Sequence, residues 1–322
     1  MKLASIVADT KIEGLYLLKK FEVKNSRNGK KYADITLADK SASVNAKLWD
    51  ISHIDEEKIH TGAFASIVGK VDTYNGNLQI VVNTISPATP TQEQLSELIA
   101  TAPFDPEKMY DKIISILTED VEDEELKKLT IAILEKNKSK LVYYPAAKSF
   151  HHATKGGLLH HVFTMLRSAN QLHSVYPFLS KDILYTGIVL HDIGKIVEMT
   201  SDENGIVLEY SKEGQLLGHI ITGICMIDQT AKELNIDPEK ALLLKHVLLS
   251  HHGVPEYGSP KPPMLAEAEM IHYIDEVDAR MNQFQSVLAD TTEGTFSENV
   301  WILDRRSIYK HSIKSKDTYD DN

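Results

Sequence analysis

Cysteine is almost absent from the sequence, since Cys225 is the only one among 322 residues. No disulfide can form within the chain, so a reducing, intracellular compartment, the cytoplasm, is predicted. The N-terminal stretch lacks the long apolar core of a signal peptide, and none is expected. No apolar run approaches the ~20 residues that a membrane-spanning helix needs, so no membrane partner is expected either.

Positive charge is also scarce, because the formal net charge is −11. This value argues against a polyanion-binding surface over the whole chain. The charge is uneven, however: residues 1–88 hold 12 Lys/Arg against 10 Asp/Glu, and the remainder carries −13. Histidine is uneven too, with 11 of 14 lying between His151 and His272. The length predicts two domains, and the two compositions indicate different tasks for them.

Alternating apolar and polar residues predict β-strands in the first 88 residues. Ala33, Ile35 and Leu37 alternate with polar residues, which is the period-two pattern of a half-buried strand. Five closely spaced strands with a polar loop are typical of an OB-fold β-barrel, which is predicted for residues 1–88. The predicted strands span residues 15–23, 32–37, 44–49, 64–71 and 78–82.

Aromatic and basic residues are predicted to share one outer face of this barrel. Strand parity places Tyr32, Lys47 and Trp49 on that face, and Lys30 and Lys31 precede it. Rings that stack on bases and cations that follow phosphates are what single-stranded nucleic acid requires. The alternative is that Trp49 fills a barrel end and that the lysines form a solvated loop.

The chain after the barrel is predicted to be nearly all helix, with one hairpin near Asn204-Gly205. Two prolines in residues 86–91 indicate a linker. Asp105-Pro106 and Asp237-Pro238 each read as an N-cap with proline at the first helical position, and the second is expected to open a helix that ends at His252-Gly253. The predicted divisions are a connector at 89–145, an all-α helical body at 146–312 and a disordered tail at 313–322. The predicted fold class is therefore multidomain α+β.

The helical body carries a series of histidines and aspartates at or near predicted helix ends. Imidazole with carboxylate suits Mn, Fe, Co, Ni or Zn, and the lack of thiolate argues against a structural zinc site. Asp192, directly after His191, is well placed to bridge two ions. Two ions would clamp a phosphodiester and generate a hydroxide nucleophile. The members of the series are His161, His191, Asp192, His219, His251 and Asp275.

The motifs GGLLHHV, HDIGK, GHIITG, LLSHHG and IDEVDAR occur in this order between Ser149 and Ala289. This series resembles the HD-domain phosphohydrolase superfamily. The resemblance implies one ion held by His161, His191, Asp192 and Asp275, and a second held by Asp192, His219 and His251. It also implies that Lys195 approaches a substrate phosphate, so that Asp192 and Lys195 are the expected catalytic residues.

Several assignments within this series remain open. His160 could replace His161, and His252 could act beside or instead of His251. The bland alternative for the whole series is a set of core histidines whose hydrogen bonds satisfy one another, although six matching positions disfavour it. Other polar residues nearby are expected to pack around the ligands or support them: His246, His272, Asp278 and Arg280.

The order of an OB barrel before an HD body, with ATKGGLLHHV, HDIGK and LSHHG, resembles the YhaM family of 3′–5′ exoribonucleases across nearly the full chain. The resemblance implies Mn²⁺-supported shortening of single-stranded RNA in the bacterial cytoplasm, with single-stranded DNA as a further substrate to test. One alternative is a hydrolase of dinucleoside polyphosphates or cyclic dinucleotides, although residues 253–258 depart from the motif of the cyclic-dinucleotide subclass. Another is a non-catalytic nucleic-acid-binding protein. A homo-oligomer is open, because residues 291–311 could form an interface or pack on the body.

Overall fold

The computed structural model describes residues 1–26, 28–55, 57–74, 76–147 and 154–313. Nearly all of the tail that is predicted to be disordered lies outside these residues. Within them, no helix combines the length and the apolar character needed to cross a bilayer.

The N-terminal part forms a closed five-stranded barrel, as predicted. The strand order is β1-β2-β3-β5-β4, and every pair is antiparallel except β3 with β5. Hydrophobic residues alternate inward: Ala33, Ile35 and Leu37 are fully buried, while the residues between them point outward. The strands are β1 Lys11–Asn25, β2 Lys31–Ala38, β3 Ser43–Leu48, β4 Phe64–Tyr74 and β5 Asn77–Pro87.

The predicted linker begins later than its prolines indicate. Ser86 and Pro87 belong to β5 and pair with Ser66 and Ala65 of β4. Proline has no N–H to donate, so it is tolerated at a strand end, and here the ladder continues because the Ala88 N–H donates to the Phe64 carbonyl at 3.0 Å. The prediction of a linker over the whole of residues 86–91 is therefore wrong for its first two residues.

Most of the described chain between the barrel and Asp290 is α-helical, with one short hairpin, as predicted. The helices are α1 Gln92–Leu98, α2 Pro106–Asp120, α3 Glu124–Leu141, α4 Gly157–Val175, α5 Lys181–Leu190, α6 Lys195–Glu198, α7 Lys212–Leu234, α8 Pro238–Ser250 and α9 Ala266–Asp290. The hairpin joins β6 Met199–Ser201 to β7 Val207–Tyr210. The N-caps Asp105 and Asp237 accept hydrogen bonds from the first helical N–H groups, which confirms both predicted helix starts. Helix α8 ends at Ser250, slightly before the predicted His252-Gly253.

One continuous apolar core joins α2 to α5 with α7, α8 and α9. Gly187 on α5 lets the neighbouring helices approach closely, because a Cβ there would lie 2.7 Å from Ile271 Cδ1 and 3.0 Å from Val247 Cγ1. Close packing of these helices brings the ends of α5 and α8 and the middle of α9 toward one point. That point is where the predicted ligands meet.

Candidate metal centre

The predicted ligands reach one buried point from five helical segments. His161 lies in the first turns of α4, and Asp275 lies in the middle of α9. His191 caps the C-terminus of α5 and His251 caps that of α8, so each ring leaves its helix where the backbone turns away. His161, His191 and His251 have no exposed surface, and Asp192 is 2% exposed.

His161, His191 and Asp275 form a first donor group, in which one ligand atom from each lies within 4.8 Å of the others. His161 Nε2 lies 3.3 Å from His191 Nε2 and 3.1 Å from Asp275 Oδ1. Asp192 Oδ2 faces this group, at 3.3 Å from His191 Nε2 and 3.8 Å from His161 Nε2. These are the four residues expected to hold one ion.

His219, His251 and His252 form a second donor group under the same 4.8 Å limit. The other oxygen of Asp192, Oδ1, faces this group at 3.6 Å from His219 Nε2 and 3.9 Å from His251 Nε2. Asp192 therefore presents one oxygen to each group. The structure also brings His252 to this group in addition to His251.

Three buried polar atoms at this point have no hydrogen-bond partner: Asp192 Oδ1, His219 Nε2 and His251 Nε2. Only one other such side-chain atom, the Tyr110 hydroxyl, occurs in the described part of the chain. Unpaired buried polar atoms are costly, and three of them converging calls for a ligand. Imidazole nitrogens and a carboxylate oxygen are donors for a divalent transition-metal cation, so the residues present fit such an ion.

Three of the histidine rings are held by a hydrogen bond from Nδ1 to a backbone carbonyl. An imidazole Nδ1–H that donates to a carbonyl leaves the Nε2 lone pair free for a metal. His191, His251 and His252 are oriented in this way. Their Nδ1 atoms lie 2.7 Å from the carbonyl of Ile188, 2.8 Å from that of Leu248 and 2.7 Å from that of Tyr257, respectively.

Carboxylates hold the two remaining rings. His161 Nδ1 donates to Asp278 Oδ2 at 2.7 Å, so Asp278 supports a ligand, as the sequence suggested. His219 Nδ1 lies 3.2 Å from Glu198 Oε1, and the His219 N–H donates to the same oxygen at 3.1 Å. Sequence reasoning missed Glu198. Its position three residues after Lys195 on α6, beside the central His-Asp pair, is the signal that could have identified it.

The two donor groups differ in protonation. Burial alone would lower the pKa of His161, but hydrogen bonds to Asp275 and Asp278 raise it to about 10. Burial raises the pKa of Asp275, yet His161 holds it well below its usual range. In the second group, burial and the neighbouring His252 and His191 lower the pKa of His251 well below its ordinary value. The first group therefore attracts positive charge, whereas His251 presents a neutral imidazole.

Lys195 lies beside the Asp192 carboxylate, which faces both donor groups. Its Nζ donates to Asp192 Oδ2 at 2.6 Å. Burial lowers the pKa of Lys195, but the negative charge of Asp192 outweighs that effect and raises it. Burial likewise raises the pKa of Asp192, while Lys195 and His191 hold it well below its usual range. Both predicted catalytic residues are thus charged and in contact.

Two glycines bring His219 to the centre. Gly218 has φ +70°, which breaks α7 with a left-handed residue and turns His219 toward Asp192. At Gly194, between Asp192 and Lys195, a Cβ would lie 1.9 Å from the His219 carbonyl oxygen and 2.6 Å from Thr222 Oγ1. The segment that carries Asp192 can touch α7 only because this side chain is missing.

The other histidines that the structure describes lie outside both donor groups. The His160 ring packs against Phe104 with their centroids 5.9 Å apart, so His161 and not His160 reaches the centre. His246 Nε2 accepts the Met264 N–H at 2.8 Å, and His272 Nδ1 lies 2.9 Å from the His251 carbonyl. These contacts match the packing and supporting roles expected for His246 and His272. Arg280 instead pairs with Asp304 at 3.2 Å.

The predicted aromatic face is present on the barrel. The rings of Tyr32 and Trp49 lie 5.1 Å apart, and Trp49 is 56% exposed. Lys47 Nζ lies 5.5 Å from the Tyr32 ring centroid, but it also forms an ion pair with Asp34. Lys24 pairs with the same carboxylate at 2.5 Å, so much of the positive charge on this face is neutralised. Lys30 and Lys31 are exposed at its edge.

Two family models match the chain. The model described as an OB-fold nucleic acid binding domain matches residues 17–88, and the model described as an HD domain matches residues 158–280. The barrel and the histidine–aspartate centre thus define a protein that joins an OB-fold domain to an HD domain.

Curated relatives with the same layout cover almost the whole chain. The 3′–5′ exoribonuclease YhaM of Listeria welshimeri is 40% identical over 302 residues, which are 93% of this chain and 95% of the relative. The protein of the same name from Listeria innocua has the same identity and coverage. The chain therefore belongs to the YhaM family. Among solved structures, the second OB-fold domain of replication protein A from Methanococcus maripaludis covers 28% of this chain and 96% of its own, at 16% identity and a TM-score of 0.23, which is too weak to add to this assignment.

Proposed function

We propose that this protein is a metal-dependent 3′–5′ exoribonuclease that shortens single-stranded RNA in the cytoplasm. Its relatives that are 40% identical are named for this activity. The observation that carries the proposal is Asp192, which presents one oxygen to each donor group; its Oδ1 and two imidazole nitrogens are buried without hydrogen-bond partners. A bridging carboxylate between two cation sites suits hydrolysis of a phosphodiester.

The donors would hold two divalent ions, of which Mn²⁺ is favoured, with Fe, Co, Ni or Zn as alternatives. His161, His191, Asp192 and Asp275 would hold one ion, while Asp192, His219 and His251, joined by His252, would hold the other. When bound, such ions neutralise phosphate charge and activate water for attack. Asp278 and Glu198 fix the rings of His161 and His219, and Lys195 offers an ammonium at Asp192 that a substrate phosphate can approach.

The barrel would bind the RNA strand upstream of its 3′ end. Tyr32 and Trp49 offer stacking surfaces, while Lys30, Lys31 and Lys47 offer positive charge. Stacking and phosphate contact do not distinguish sugars, so single-stranded DNA is proposed as a further substrate. Trp49→Ala should raise the KM for a 30-nucleotide RNA by on the order of tenfold, because one stacked base contributes ~1–3 kcal/mol. Val7→Ala, at another exposed position, is the control, and an unchanged KM for Trp49→Ala would remove Trp49 from the RNA face.

The direct test uses single-stranded RNA labelled at its 5′ end. Incubation with Mn²⁺ should give a descending ladder, and chelator should abolish it. Matched single-stranded DNA, a dinucleoside polyphosphate and a cyclic dinucleotide run in parallel. Turnover of a small nucleotide without any RNA ladder would replace the proposal with a nucleotide hydrolase, and RNA binding without product would replace it with a binding protein.

We propose three divisions of the chain: the barrel at 1–88, the connector at 89–145 and the HD domain at 146–312. The end of β5 at Pro87 and the end of α3 at Leu141 support these divisions. Limited proteolysis should cut first near the end of β5, because residues 144–146 at the second division are buried, and a first cut inside β1 to β5 would contradict the barrel boundary. A homo-oligomer is proposed through residues 291–311, where Trp301 is 71% exposed, and light scattering tests it.

A further inference from the structure

The β6–β7 hairpin joins the barrel to the metal centre. Ile206, just before β7, packs with Leu17 and Ala38 of the barrel, and Leu208 packs against the same small cluster with Phe64 and Ile99. Val207, between them, packs instead against the core of the helical body. Because side chains alternate along a strand, β7 has one face for each domain. Ile206 and Leu208 are called the seat below.

The barrel side of the seat is shaped to receive it. Leu17 pairs with both Ala38 and Phe64, so the three residues lie side by side on adjacent strands. Gly62, before β4, has φ +90°, and a Cβ there would lie 2.2 Å from Leu208 Cδ2. Leu208 thus occupies a space that exists because Gly62 has no side chain. Such close packing fixes the position of one domain on the other.

On the side of the helical body, the hairpin is fixed to α6, which follows the His191-Asp192 pair. Strand β6 follows directly after Glu198, whose carboxylate supports His219. The Tyr144 hydroxyl donates to the Ile196 carbonyl at 3.2 Å and also to that of Met199. The Ser211 N–H, just after β7, donates to the Glu198 carbonyl at 2.9 Å. Both ends of the hairpin are therefore tied to α6, which begins at Lys195.

The aromatic face of the barrel lies away from the seat. Ala38 is at one end of β2 and Tyr32 is at the other, six residues away. At the rise of a β-strand this separation is ~20 Å along the barrel. Trp49 lies at the same far end, just after Leu48, which pairs with Ala33. The span of a strand held by both the aromatic face and the metal centre therefore depends on how the seat holds the barrel on the body.

We propose that the seat is a positioning device that sets the length of RNA left undigested. The inference rests on the proposed exoribonuclease function. With the barrel fixed on the hairpin, RNA that is shorter than the span loses the aromatic face, and trimming slows sharply. A barrel held at a fixed span keeps a higher local concentration of RNA at the centre than a barrel on a loose tether. The expected remnant is on the order of 4–16 nucleotides, the site size of an OB fold.

The test compares two seat variants with two controls. Leu208→Ser disrupts the seat itself, and Phe64→Ala removes a barrel side chain that packs against it. Val207→Ala shortens the neighbouring side chain that faces the body, and Glu209→Gln changes an exposed residue of the same strand. Each protein is assayed with Mn²⁺ on a 30-nucleotide RNA and on bis(p-nitrophenyl) phosphate, a small diester that needs no barrel. Circular dichroism checks folding, and X-ray scattering measures the radius of gyration.

Both seat variants should enlarge the radius of gyration, broaden the remnant lengths and raise the KM for RNA by on the order of tenfold, with small-diester hydrolysis unchanged. The controls should keep the wild-type remnant. An unchanged remnant in both seat variants overturns the proposal, and so does a parallel loss of small-diester hydrolysis in folded protein. If Leu208→Ser does not fold, Phe64→Ala decides. If wild-type protein cleaves neither substrate, the proposed function fails, and scattering still tests the seat.

Discussion

The two donor groups share Asp192 but differ in chemistry. The first group has a carboxylate of its own, Asp275, and charged hydrogen bonds that raise the pKa of His161 to about 10. The second consists of three imidazoles, and burial lowers the pKa of both His251 and His252. Carboxylate suits harder ions such as Mn²⁺, and imidazole suits Zn, Ni or Fe. We therefore expect the two neighbouring donor groups, which share one carboxylate, to select and retain ions differently.

Replacing the shared residue should have the largest effect. Asp192→Asn keeps the shape but removes the charge that faces both groups, so RNA hydrolysis should fall by at least ~100-fold and both ions should be lost. Labelled-RNA assays and elemental analysis measure the two effects. Asp290→Asn, at an exposed position, is the control. Because Lys195 loses its buried partner, thermal unfolding must confirm a folded protein. Folded Asp192→Asn protein that still hydrolyses RNA would contradict the assignment.

Removing one donor from each group should separate them. Asp275→Asn should weaken Mn²⁺ binding on the order of tenfold more than it weakens Zn²⁺ binding. His252→Asn should weaken Zn²⁺ binding on the order of tenfold more than it weakens Mn²⁺ binding. Calorimetric titration of the metal-free protein measures both affinities. His246→Asn, a histidine that bonds only to backbone here, is the control. Equal losses for both metals in both variants would show that the groups do not differ in preference.

The groups should also respond oppositely to pH when no metal is bound. The raised pKa of His161 contributes stability that is complete below about pH 6.5 and is lost as pH rises toward about 10. The lowered pKa of His251 contributes stability that is present above about pH 6.5 and is lost as pH falls below it. In chelator, the midpoint temperature of thermal unfolding should therefore decrease both toward acid and toward alkaline pH. His161→Gln should flatten the alkaline side of the curve of midpoint temperature against pH, and His251→Gln should flatten the acid side. Each kcal/mol of lost stability corresponds to a shift of about 2–4 °C in the midpoint. Identical profiles for both variants would contradict this difference.

Changing the supporting carboxylates should have the smallest effect, because every donor stays. Asp278→Asn should weaken metal binding at the first group, and Glu198→Gln should weaken it at the second, each by about tenfold. The Mn²⁺ and Zn²⁺ titrations described for the donor variants resolve which group is affected. Glu209→Gln is the control for Glu198→Gln. A wild-type affinity in Glu198→Gln protein would mean that the charge of Glu198 is not needed, because the glutamine oxygen can still accept from His219 Nδ1.

The fold class and the convergence of the predicted ligands could both be predicted from the sequence. Alternation in β2 predicted the barrel, and the Asp-Pro pairs predicted two helix starts, because both signals act within a few residues. The order of His161, His191, Asp192, His219, His251 and Asp275 predicted one buried centre. These six residues do converge, although their roles as ligands stay a prediction.

Contacts between distant residues were not predictable in the same way. The pairing of Lys47 with Asp34 reduces the free charge of the aromatic face, and strand parity alone does not reveal it. His252 joins the second donor group because the carbonyl of Tyr257, the last residue of a short 3₁₀ helix five residues later, turns its ring. Glu198 reaches His219 only because α7 breaks at Gly218. Each outcome depends on backbone geometry that no local pattern specifies.

Gly194 has no side chain to offer to an ion or to RNA, yet it sets how closely the Asp192 segment and α7 approach. The absence of one methyl group is therefore as much a part of this centre as the ligands themselves. A survey that ranks residues by the chemistry of their side chains would pass over this position. Copying the centre onto another scaffold by grafting only its histidines and carboxylates would leave His219 too far from Asp192.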